Sequence, residues 1–135
     1  MTAEEIYQLG LSEVDRIQAE IIAILGSEGF DVSQGFSQAI ETLASDESFY
    51  YPDSDEGREQ ILKDYQAIID EIDEGISAAF NIRPQAGMTV KRVPEFREKT
   101  APGAYYQRPS LDGSRPGVFY ANLYDIKDTP KYGMR

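Results

Sequence analysis

The feature that most constrains this chain is a row of apolar side chains between residues 61 and 80. Ile61, Tyr65, Ile68, Ile72, Ile76 and Phe80 recur at steps of four, three, four, four and four. That is the repeat of one helix face. Leu62, Ile69 and Ala79 broaden the stripe. Pro52 interrupts any helix before it, and Asp53 or Ser54 can cap the next. A helix is therefore predicted over about residues 54–80.

The same period appears upstream at Val14, Ile17, Ile21 and Ile24. Thr2 and Glu5 stand at capping-box spacing before it, and Gly26 and Gly29 after it, which predicts a helix over about 3–26. A shorter face of Phe36, Ala39, Ile40 and Leu43 predicts another over about 34–46, capped by Asp31 or Ser33. The two long helices can pack as an antiparallel pair bridged by the short one.

Past Asn81 the chemistry changes. Prolines become frequent and the helical repeat ends. Residues 88–93 alternate and are β-branched, and 103–107 and 117–124 are aromatic and bounded by turn residues. Asp112-Gly113 is the expected turn between the last two. The fold class read from this order is α+β: antiparallel helices followed by a small antiparallel sheet. The organisation expected is an acidic helical segment, 1–82, and a basic, aromatic one, 83–135, forming together part of a larger domain.

Charge follows the same division. Residues 1–82 carry 19 acidic and 3 basic side chains, and 83–135 carry 5 acidic and 10 basic. The net charge of −11 argues against a general nucleic-acid binder. No apolar run approaches the roughly 20 residues that span a bilayer, and no secretory leader is read at the N-terminus. The chain contains neither histidine nor cysteine. That removes thiolate chemistry, Ser-His and Cys-His nucleophile pairs, and the usual zinc ligands.

Several local patterns reduce to structure. Residues 53–64 have a glycine at the fifth rather than the sixth position of a would-be calcium loop, so that pattern fails. Asp70, Glu71, Asp73 and Glu74 lie on a polar helix face without the histidines of carboxylate-bridged metal bundles. Arg92, Arg97, Lys99, Arg108 and Arg115 gather around the predicted strands, able either to fork onto an anion or to neutralise acidic neighbours. Along 117–124, Val118, Tyr120 and Asn122 share one face, and Phe119, Ala121 and Leu123 the other. One set belongs in the core; the other could line a groove, with the strand edge open to peptide addition.

The runs 3–20 and 94–135 resemble a bacterial family known as domain of unknown function eight-eight-five. The most specific parts are Gly10–Ile17 and the block Pro102–Asp125. The resemblance implies a gluzincin-like zinc peptidase, often a secreted protein or periplasmic or membrane-anchored lipoprotein. It places the family's His-Glu zinc motif just after the segment matching Tyr132–Arg135, so this chain reads as a non-catalytic piece ending before that motif. Zinc is then expected in the longer protein and not in this chain. The resemblance makes 117–124 the substrate-cleft strand and Tyr105, Tyr106, Arg108, Tyr120, Asn122 and Tyr124 the candidate cleft residues. The expected partners are the remainder of the longer protein, a peptide substrate, and a second copy through an exposed strand edge. The alternative is a self-sufficient interaction module that binds a partner through the Tyr/Arg hairpin.

Overall fold

The structure, a computed structural model, describes residues 1–134. It divides into two compact units, one spanning Met1–Glu47 and the other running from Ser48 onward.

The first unit is a pair of helices. Helix α1 spans Ala3–Ser27 and opens with the expected capping box: Thr2 Oγ1 accepts from the Glu5 amide, and the Glu5 carboxylate accepts from the Thr2 amide. Helix α2 spans Phe36–Ser45. Neither Asp31 nor Ser33 caps it. Gly35 holds the N-cap position at φ 88 without a side-chain bond, and Asp31 closes its own turn by accepting from the Ser33 amide. A left-handed backbone at that position suits glycine and excludes the expected cap. Leu25 and Ala39 are the buried residues of the two helices.

The second unit sets one helix on a sheet. Helix α3 spans Asp55–Gly75 and continues as a 3-10 turn, Ile76–Ala78. Ser54 caps it, accepting from the Gly57 amide. Gly57 is required here, because a Cβ would lie 2.0 Å from the Pro52 carbonyl oxygen. The strands are β1 (Met88–Arg92), β2 (Ala104–Gln107) and β3 (Gly117–Ala121), with a one-turn helix α4 (Glu95–Glu98) between the first two. The strand order is β1-β3-β2.

The sheet is mixed, not purely antiparallel. β2 and β3 form the expected antiparallel hairpin, but β1 pairs with β3 in parallel. Residue alternation carries no strand direction. Here the intervening segment holds α4 and β2, which is long enough for the crossover a parallel pair needs.

The apolar stripe of α3 packs on this sheet. Ile61 is fully buried with Ala121, Leu123, Ile126 and Met134, and Tyr65 meets the Phe119 ring at 5.3 Å. The Phe119–Ala121–Leu123 face of β3 is therefore the core face. The row of buried isoleucines is shorter than the helical period suggested: Ile17, Ile24 and Ile72 are 45–60% exposed.

Candidate functional site

Strand β3 lies in the middle of the sheet and has no free edge. Gly117 donates to the Gly87 carbonyl and Val93 to that of Ala121, so its odd-numbered peptides bond to the β1 side. Asn122 donates to the Gly103 carbonyl, so its even-numbered peptides bond to the β2 side. The expectation that 117–124 is an edge strand receiving substrate is therefore overturned by the topology.

The outer edge of β1 is covered. Gln66 of α3 accepts from the Val90 amide at 2.9 Å and donates to the Met88 carbonyl at 3.4 Å. One side-chain amide thus occupies two of the outward groups of β1 that a neighbouring strand would use. Among the described residues the outer edge of β2 carries no such cover. Antiparallel pairs alternate between bonded and non-bonded. With Asn122 bonded to Gly103 and the register pairing Ala104 with Ala121 and Tyr106 with Phe119, the peptide groups of Ala104 and Tyr106 face outward.

Five of the six candidate cleft residues separate into three groups. Tyr105 and Tyr120 stack at 4.8 Å between ring centroids on the face turned away from α3. Tyr106 lies on the other face, with its ring against Gly117, where any Cβ would stand 2.6 Å from its hydroxyl. Tyr106 and Arg108 line one cavity, of about 530 Å³. Tyr124 sits apart, about half exposed, with the Lys99 ammonium 5.6 Å from its ring centroid.

Asn122 is committed to the fold. Its amide nitrogen lies within hydrogen-bonding distance of the carbonyls of Glu98, Ala101 and Pro102, and its oxygen accepts from the Tyr124 amide. It anchors the loop that leads into β2. The same corner holds a pair the sequence did not single out. Glu98 is buried, and Arg92 forks onto it with Nε–Oε1 at 2.7 Å and Nη2–Oε2 at 3.1 Å. Arg92 holds the Glu98 carboxyl below the usual carboxylate range.

The β2–β3 turn is tightly organised. Gly113 takes φ 73, and Asp112 accepts from the amide and hydroxyl of Ser114. Hydrogen bonds from Ser110 and Ser114 lower the Asp112 carboxyl to about 2. A second cluster missed in the sequence joins distant segments. The Tyr51 hydroxyl donates to Asp64 and lies 3.2 Å from Met134 Sδ, and Lys131 stands 5.3 Å over the Tyr51 ring. Burial, then the Asp64 bond, raises the Tyr51 phenol well above its ordinary value.

No group of three or more carboxylates gathers at metal-binding distance among the described residues, and the chain has no imidazole or thiol. These residues do not fit a catalytic zinc site. No helix among them is long and apolar enough to cross a membrane.

The class these features define is an α+β protein with a helix-backed mixed sheet and one open strand edge. The chain belongs to the family described as "Bacterial protein of unknown function (DUF885)", whose model matches residues 1–135. It is also similar to the crystal structure titled "the putative lipoprotein from Colwellia psychrerythraea", at 34% identity and a TM-score of 0.81. That match covers 99% of this chain but 23% of the other, so this chain spans about a quarter of its length. No curated protein matches.

Proposed function

We propose that this chain is the scaffold and cleft-wall portion of a zinc-dependent peptidase. The observation that carries the reading is the open outer edge of β2, where the Ala104 and Tyr106 peptide groups face outward beside the exposed Tyr106 ring. An extended peptide can add to such an edge through its main chain. Family membership over the whole chain and the much longer relative support a role within a larger protein. The substrate strand is β2, replacing the 117–124 segment.

In this reading zinc is held by polypeptide outside these residues and supplies the activated water of peptide hydrolysis. The contribution of this chain is to bind and orient. β2 offers two outward peptide groups, and α3 supports the sheet from behind. A lipoprotein's location outside the cytoplasm is part of the same proposal, supported by the Colwellia relative.

The test compares this 135-residue chain with a longer family protein on a fluorogenic peptide library, with and without a zinc chelator. Hydrolysis that needs the longer protein and stops with the chelator is the expected result. Hydrolysis by the chain alone, or none that responds to the chelator, would overturn the reading.

A further inference from the structure

Most arginines of this acidic chain are neutralised by carboxylates. Arg16 pairs with Glu13 and Glu20, Arg58 with Asp53, Arg83 with Asp73, and Arg92 with Glu95 and Glu98. Arg97, Arg108 and Arg115 have no carboxylate partner among the described residues. With 24 acidic side chains against 13 basic ones, unpaired arginines are not explained by a shortage of anions.

Two of these guanidiniums, those of Arg97 and Arg108, lie at cavities that adjoin β2. Arg108 lines the larger one, of about 530 Å³, with Tyr106, Gln85 and Leu111. Arg97 lines one of about 240 Å³ with Tyr105, Thr100 and Pro102. Tyr105 and Tyr106 are consecutive in β2, so the open strand edge runs between two cationic cavities. Residues 83–135 are net positive, whereas 1–82 are strongly negative.

We propose that the outer edge of β2 takes an extended acidic peptide, with Arg108 receiving a Glu or Asp side chain and Arg97 a second. This rests on the reading of β2 as the substrate strand and adds the class of substrate. Backbone hydrogen bonds to Ala104 and Tyr106 give the affinity, and the two forks give the preference. The cavity of Arg108 is the principal selector, being the larger and lying where the Tyr106 peptide faces out.

The test is an amide-resolved NMR titration of the 135-residue chain with a capped Val/Glu hexapeptide, Val-Val-Glu-Glu-Val-Val, whose adjacent Glu side chains point to opposite faces of the strand. Its controls are the Val/Lys counterpart and a Val/Glu peptide N-methylated on alternate residues. The Val/Glu peptide should shift the Ala104 and Tyr106 amides, and the Val/Lys peptide should bind at least about tenfold more weakly. Arg108→Glu should weaken the Val/Glu peptide about tenfold and improve the Val/Lys peptide, with Arg97→Glu acting more mildly. Both arginines are exposed, and an unchanged amide spectrum away from β2 confirms that each variant folds. N-methylation should abolish binding.

Equal binding of the two charge types, or indifference to Arg108→Glu, overturns the acidic preference while leaving the peptide edge standing. Shifts that avoid β2, or full binding by the N-methylated peptide, overturn the edge itself. Failure of the peptidase reading shows separately, as a longer family protein that binds the Val/Glu peptide but never cleaves any peptide.

Discussion

Replacing Glu98 with alanine tests whether the corner behind β2 is held by charge or by packing. The Glu98 side chain is 4% exposed and accepts both arms of the Arg92 fork; its Oε1 is also 3.4 Å from the Leu123 amide. Removing one partner of a fully buried pair costs roughly 3–5 kcal/mol. Two observations reduce that figure. The Arg92 side chain is 29% exposed, and its Nη1 keeps Glu95 at 2.9 Å. The stranded guanidinium thus retains water and one carboxylate, and a loss of about 2–3 kcal/mol is expected for Glu98→Ala. Glu98→Gln keeps the shape and an acceptor oxygen and should lose about 1–2 kcal/mol.

Tyrosine fluorescence in a urea titration is the assay, since eight of the nine tyrosines lie at or after Tyr50. The pH dependence supplies a second, independent readout. The Arg92 fork lowers the folded-state value of Glu98 below its unfolded value, which is about 4.3. The stabilisation is therefore complete above the unfolded value and disappears as pH falls through the folded one. The gap between wild type and Glu98→Ala should be largest at neutral pH and shrink below about pH 4. A variant within about 0.5 kcal/mol of wild type at pH 7, or a gap that does not change on acidification, would refute the reasoning.

Gly57→Ala should destabilise the second unit by on the order of 1–3 kcal/mol, because the new Cβ meets the Pro52 carbonyl; calorimetric melting unchanged from wild type would contradict that close approach. Gln66→Ala removes the cover from the outer edge of β1 and should cost about 1–2 kcal/mol while promoting strand-edge dimers. Sedimentation velocity at two concentrations checks it, and an unchanged monomer at both would show that the edge needs no cover. Thr89→Val should leave stability unchanged or raise it by up to about 1 kcal/mol, since the buried Thr89 hydroxyl has no partner among the described residues. A loss beyond that in chemical denaturation would mean the hydroxyl is satisfied after all.

What was legible in the sequence was local. The Thr2–Glu5 capping box needs only residues three apart and stands where the spacing put it, and of the two caps expected for α3, Asp53 or Ser54, Ser54 holds the position. The alternation along β3 also survives, with Phe119, Ala121 and Leu123 turned to the α3 side. One failure is local, and the others arise where a distant segment decides. Asp31 and Ser33 were plausible caps by type, but Gly35 already occupies the capping position with a backbone only glycine favours. The aromatic run 117–124 looked like an edge because its neighbours in space were unknown, and β1, some two dozen residues upstream, closes that side of it. Gln66, the residue that closes β1 in turn, sits on a helix face that reads as ordinary polar surface. Asn122 had the chemistry of a substrate contact, yet three carbonyls of the preceding loop claim its amide. The same non-local logic gives β2 its importance. It is the strand that pairs on one side and, among the described residues, carries no cover on the other, and unpaired arginines adjoin it. A binding edge in this chain is thus a property of strand order and cannot be assigned from the composition of any one strand.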